Sequence, residues 1–215
     1  MIKLSMMKKM MVVATLTWSI IAVSQIKALT ETGDEVLLFE NKTWQYVDKS
    51  IDQITEIKLN AKPFTKSDGA TFLIKSSIND AQVYIDPKKW QFTKNVDNPD
   101  AEYEFTAKGI ELYAMLINEQ IELPLATLKS VAIEAARKVA PDLKLVNEEY
   151  RMVNGHKVLH LELSGTMQGI KFTYYNYYLS NEKGSTQFVV FSSQNLIKRY
   201  KADAEKLVNG LILKK

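Results

Sequence analysis

The chain holds two histidines, His156 and His160, and both fall on one strand-like stretch, so the imidazole chemistry open to it is narrowly bounded. Residues four apart on a strand lie about 13 Å apart, too far to share one metal ion. An Asn154-Gly155 turn sets Glu149 opposite His160, with Glu162 two residues along the same face and Arg151 nearby. A carboxylate–imidazole pair of this kind can move protons. The same four residues also suit a solvated cross-strand charge cluster on the polar face of an amphipathic hairpin, which is the plainer reading. No Gly-x-Ser-x-Gly elbow, phosphate-cradling glycine loop, dinucleotide fingerprint, calcium loop or His-Glu-x-x-His occurs. With no cysteine in the chain, thiol nucleophiles, disulfides, thiolate metal sites and iron–sulfur clusters are excluded. No catalytic residue, metal site or cofactor is assigned from these patterns.

A second group of chemistry-bearing residues is aromatic. On the stretch Ile170–Leu179, Phe172, Tyr174 and Tyr178 line one face, and Tyr175 and Tyr177 line the other. A strand covered on one side only has no need of aromatics on both. Tyrosine joins a large apolar ring to a hydroxyl, which fits either packing between layers or a ligand or partner surface. The candidate surface is Tyr174, Tyr175, Tyr177 and Tyr178, with Gln168 on the rim loop Ser164–Gly169.

These residues need elements to hold them. Glu35–Glu40 and Thr43–Val47 flank Asn41-Lys42, and a two-residue turn there pairs Phe39 with Trp44 and Leu37 with Tyr46. Isoleucines at 51, 54 and 57 mark a short helix or linker over 48–61. Strands are expected at Thr71–Lys75 and Gln82–Ile85, followed by a break at Asp86-Pro87. A hairpin runs from Tyr103 to Leu116 around Lys108-Gly109. Pro124 opens a helix whose stripe is Leu125, Leu128, Ala132, Ala135 and Val139, and Pro141 closes it. Four strands follow, from Leu145 to Ser193. Ser192-Ser193 then caps a last helix with an apolar face from Leu196 to Leu211. Short links between strands imply an antiparallel sheet, and two amphipathic helices cover one or both of its faces, so the class is α+β.

The N-terminus gives an address. Lys3, Lys8 and Lys9 precede an apolar run of about 15 residues that ends in Ala22-Val23-Ser24, the form of a cleaved signal peptide and short of the roughly 20 residues of a membrane span. The expected organisation is a signal peptide over 1–24, an N-terminal β-hairpin and linker over 25–63, and the α+β domain over 64–215. Removing 1–24 takes three lysines and no acid from 28 basic and 25 acidic residues. The remaining chain is neutral, which argues against nucleic acid or an anionic membrane as partner.

From Phe64 to Leu213 the order of strands, central helix, Asn-Gly meander, aromatic strand, Gly184–Phe191 strand and closing helix resembles the Mog1/PsbP-like superfamily, including its exported bacterial DcrB-like members. Val36–Tyr46 is similar to a short hairpin found near the start of various exported bacterial proteins, with Lys42 in place of the usual glycine. The resemblance implies an antiparallel sheet flanked by helices, serving as a binding or accessory module, and it transfers no catalytic residue. The expected role is an exported soluble protein of the periplasm, or a secreted one, that binds an envelope protein or a small ligand and keeps no membrane anchor. A periplasmic hydrolase or isomerase built on Glu149, His160 and Glu162, and a structural envelope component, stand as alternatives.

Overall fold

The computed structural model describes residues 26–29, 35–38, 42, 44–46, 57–94 and 101–214. The expected signal peptide over 1–24, position 41 of the first turn and most of the expected helix or linker over 48–61 lie outside them. Two compact units divide the chain, one over Leu16–Ile57 and one that includes Lys58–Lys215.

In the smaller unit, β1 (Ile26–Leu29), β2 (Glu35–Leu38) and β3 (Trp44–Tyr46) form an antiparallel three-stranded sheet in that order. The expected hairpin thus gains a strand, and its register differs from the expected one. Leu38 pairs with Trp44 and Val36 with Tyr46. This register is displaced by one residue from the expected pairing of Phe39 with Trp44, and Lys42 has φ 65°; Phe39 and Asn41 lie outside the described residues.

The larger unit begins with β4 (Leu59–Phe64), where the sequence suggested the tail of a helix or linker. It continues with β5 (Phe72–Lys75), β6 (Ala81–Ile85), β7 (Trp90–Lys94), β8 (Tyr103–Ala107) and β9 (Tyr113–Glu119). Helix α1 (Leu125–Val139) follows Pro124 and ends before Pro141, as the stripe predicts. Then come β10 (Lys144–Val153), β11 (His156–Met167), β12 (Ile170–Asn181), β13 (Gly184–Ser193), helix α2 (Gln194–Val208) and β14 (Leu211–Leu213). Eight strands form one sheet in the order β4-β10-β11-β12-β13-β9-β8-β7, and β14-β6-β5 form a second. Every pairing is antiparallel except β4 with β10, so the expected antiparallel sheet carries one parallel edge.

Three local expectations change. Ser193 occupies the N-cap position of α2 but makes no side-chain cap bond; the Ser192 hydroxyl instead donates to the Glu111 carbonyl at 2.5 Å. Leu211 leaves the helical stripe and joins β14, because Gly210 reverses the chain where a Cβ would collide with the Tyr84 carbonyl. The loop expected over Ser164–Gly169 is mostly strand. β11 runs to Met167, and only Gln168-Gly169 turn, at φ 51° and 77°.

The main core lies between the eight-stranded sheet, α2 and the smaller sheet. Tyr177, Phe188 and Phe105 meet Ile197, Leu207, Val83 and Leu211 there. Two polar clasps close its borders. The Glu102 carboxylate accepts from the Ser76 hydroxyl, the Ser77 amide and hydroxyl and the Asn118 amide, at 2.6–2.9 Å. Burial would raise its pKa, but these donors outweigh burial and lower it.

The second clasp is the Asn154-Gly155 turn, with φ 49° and 89° at its two central residues, the pair of left-handed residues a tight hairpin needs. The Asn154 side chain donates to the carbonyls of Asn209 and Leu211 at 2.8 Å each, and accepts from the Lys66 amide at 3.0 Å. One turn residue thus joins β10–β11, the segment after β4 and the end of α2. Asn154→Gly keeps the turn and loses these bonds, at a cost of about 2–3 kcal/mol. Asn154→Ala costs about 1 kcal/mol more, because alanine resists positive φ. Urea denaturation of the two variants checks both the size and the order.

Candidate functional site

β12 is buried along both faces, and its neighbours fix which residues share each face. On the α2 side, Tyr175 pairs with Glu162 and Tyr177 with His160 across β11, while Glu149 of β10 lies opposite His160, as the turn predicts. The structure corrects the solvated setting expected for these groups. His160 is fully buried and Arg151 is 5% exposed, because α2 covers this half of the sheet.

Arg151 is the centre of a closed network. Its Nε donates to Glu149 Oε1 at 2.5 Å, and a terminal nitrogen donates to the hydroxyls of Tyr175 and Tyr177 at 2.5 and 2.9 Å. The guanidinium lies 4.3 Å from the centre of the Phe64 ring. Tyr175 donates onward to Glu205 at 2.9 Å and Tyr177 to Asn209 at 2.8 Å, both on or at the end of α2. Asn60 of β4 donates to the other Glu149 oxygen at 2.9 Å. Burial raises the Tyr177 pKa to about 12, although Arg151 opposes the shift. Tyr175 and Tyr177 are therefore packing and fastening residues of the interior, where a binding surface was one of the two expectations.

His160 has its ring centre 4.3 Å from that of Tyr175, with the two rings tilted by 46°. Its Nδ1 lies 3.0 Å from the Asn176 carbonyl and its Nε2 lies 3.4 Å from Glu162. Burial lowers its pKa, against the pull of Glu162. Glu162 also takes a bond from Lys201 of α2 at 2.6 Å. Burial alone would raise Glu162, but the His160 and Lys201 hydrogen bonds bring it down to about 2. The Glu149, Arg151, His160 and Glu162 side chains are thus spent on one another and on α2. Among the described residues, no three histidine or carboxylate groups are grouped to hold a metal ion.

The opposite face is built differently. Leu161 of β11, Asn176 of β12, Val189 of β13 and Met115 of β9 form one row across four strands, with Tyr174 and Tyr178 on either side of Asn176. Helix α1 covers this row but is fastened near its ends. The Leu123 amide before it donates to the Ser180 hydroxyl at 3.0 Å, and Lys129 pairs with Glu148. Leu128 is its one buried residue, and just beyond its last turn Asp142 accepts from the Thr166 amide at 2.7 Å.

Between these fastenings, the roof toward the sheet is Ala132, Ala135, Ala136 and Val139, side chains too short to fill the space. A cleft of about 80 Å³ remains, floored by Leu163, Tyr174, Asn176, Tyr178 and Val189. Asn176 and Gln187 are the two amides of the lining, and Asn176 is the more deeply buried. Its Nδ2 donates to the Tyr178 hydroxyl at 2.9 Å, and its buried Oδ1 has no partner. Of the sequence candidates, Tyr174 and Tyr178 line the cleft, whereas Gln168 sits exposed at the β11–β12 turn and is not part of the lining. Asn176 and Ala136 were missed. The available signal was one amide in the otherwise aromatic row Phe172, Tyr174, Asn176, Tyr178.

Two measurements follow from the closed network. Arg151→Met leaves the half-buried Glu149 without its cation and the Tyr175 and Tyr177 hydroxyls without their donor, and is expected to lower unfolding free energy by about 2–4 kcal/mol in urea. Because the Glu162 pKa is lower in the folded state than its ordinary 4.5, its contribution is fully present above pH 4.5 and lost as pH falls toward about 2. His160 acts with the same sign at higher pH. Thermal midpoints between pH 7 and 2 should therefore fall monotonically, and Glu162→Gln should flatten the lower part of that curve.

No protein-family model matches the sequence, and no curated protein matches it. Among solved structures, cyanobacterial PsbP (CyanoP) from Synechocystis sp. PCC 6803 is similar over 69% of this chain and 95% of its own, at 10% identity and a TM-score of 0.53. LpqN, a Mycobacterium tuberculosis protein involved in cell envelope biogenesis, is similar over 63% of this chain and 83% of its own, at 10% identity and a TM-score of 0.46. A protein of unknown function from Pseudomonas aeruginosa covers 67% of this chain and 99% of its own, at 12% identity and a TM-score of 0.43. At such identities the likeness is one of fold, and the larger unit of this chain has the PsbP-like fold that its order of strands and helices predicts.

Proposed function

We propose that this chain is an exported accessory module that works by holding a small ligand in the cleft between α1 and the sheet, without covalent chemistry. The observation that carries the reading is the mismatch between roof and floor. A helix tied down near both ends presents alanines to a floor of large side chains, so apolar surface is left uncovered beneath it. Clefts of this sort, mostly apolar with few polar groups, are the common form of small-molecule sites. The leader over 1–24 supports export, and no helix among the described residues is long and apolar enough to cross a membrane. A hydrolase or isomerase has less to stand on, since each group of the Glu149–His160–Glu162 set is already engaged within the fold.

Xenon is a suitable probe, because apolar cavities on the order of 150 Å³ take it up. Under xenon pressure, methyl resonances of Ala132, Ala136 and Val189 should shift and saturate in the wild type, and those shifts should vanish in Ala136→Leu. Unmoved methyls would remove the cleft as a binding site. For export, the chain expressed with its leader in a Gram-negative host should appear in the periplasmic fraction, with a mature N-terminus close to residue 25 by mass spectrometry.

A further inference from the structure

Asn176 says what the cleft should hold. It is 2% exposed, its ring-lined row is otherwise apolar, and its Oδ1 faces no donor. A buried carbonyl oxygen without a partner is costly, so such groups are rare in folded proteins and call for an explanation. Turning the amide over does not cure the defect. Oδ1 would then accept from the Tyr178 hydroxyl, and both Nδ2 hydrogens would lack acceptors. In either orientation one end of Asn176 is left over, and Asn176 is among the residues that line the cleft.

The lining also restricts charge. None of the residues lining the cleft is a lysine, arginine, histidine, aspartate or glutamate. An ionised head group would be taken out of water beside two amides and two phenols with no counter-charge, which is strongly unfavourable. A hydroxyl is the neutral group that both donates and accepts, and it meets Asn176 in either orientation of the amide. The enclosed volume of about 80 Å³ admits a short segment of chain, and the remainder of a longer ligand can extend through the open side.

Resting on the cleft reading above, we infer that the ligand is an uncharged aliphatic alcohol whose hydroxyl hydrogen-bonds the side-chain amide of Asn176 while its hydrocarbon lies under the α1 alanines. The site selects against carboxylates of the same chain length, because the floor offers an amide and no cation.

The test titrates the full mature chain at pH 7 with hexan-1-ol and with hexanoate, following the Asn176 side-chain amide and the Ala136 methyl by NMR, with xenon as a control for the apolar space. Hexan-1-ol should shift both signals to saturation and bind at least tenfold more tightly than hexanoate. Asn176→Leu should keep xenon uptake and weaken hexan-1-ol by about five- to tenfold, the share of one neutral hydrogen bond. The comparison of the two probes on unaltered protein needs no variant to fold. Hexanoate binding as tightly as the alcohol, or Asn176→Leu binding the alcohol unchanged, overturns the inference. Xenon uptake without alcohol uptake also overturns it, while leaving the cleft in place. No response to either probe overturns both the inference and the cleft.

Discussion

Covering β12 on both faces is the constraint from which the larger unit is built. Both of its faces carry large rings, Tyr175 and Tyr177 on one side and Phe172, Tyr174 and Tyr178 on the other, and all five are buried. Aromatic rings each remove a large apolar area from water, so leaving either row exposed would cost several kcal/mol. A central strand with such rows requires a layer on each side. The chain supplies α2 and the smaller sheet for one face and α1 for the other, which is the three-layer form seen here.

The two layers meet the sheet by different means. Under α2 the polar tips of Tyr175 and Tyr177 are drawn to Arg151, and every partner in that group finds another, out to Glu205, Asn209 and Asn60. A buried polar network stabilises a fold when it is complete and harms it when one member is unpaired. Under α1 there is no such completion. The helix is fastened by Lys129 with Glu148 and by the Leu123 and Thr166 amides near its ends, and its middle is alanine. Asn176 lies in the floor beneath that middle. The proposed site is thus on the face where the helix leaves space above the sheet, and the opposite face is closed.

Much of this was legible in the residues. Helix α1 is bounded by Pro124 and Pro141, and its limits follow from proline's fixed φ and missing N–H. The Asn154-Gly155 turn set the register of β10 and β11, and with it the pairing of Glu149 with His160. What periodicity cannot carry is long-range partnership. β4 has a proline and a lysine in six residues and no alternating pattern, and it is a strand because β10 offers it an edge. β14 is three residues held by β6, and its apolar pattern continues that of α2. The Glu149 cluster reads as a polar surface because pattern alone cannot know that α2 will fold over it. The cleft was legible in part, through Tyr174 and Tyr178. Asn176 was passed over, since one amide in an aromatic row shows its meaning only when its partners are counted.

A site kept open for a ligand leaves stability unused, and filling it should recover that stability. Urea denaturation of Ala136→Leu measures this most directly, because the added carbons would enter the space beneath α1. If α1 stands off the sheet as described, the midpoint rises with an unchanged slope, corresponding to about 1–2 kcal/mol of added burial. A midpoint that falls, as overpacking of a filled interior produces, would mean that the helix already lies close on the sheet and that the cleft does not exist in solution.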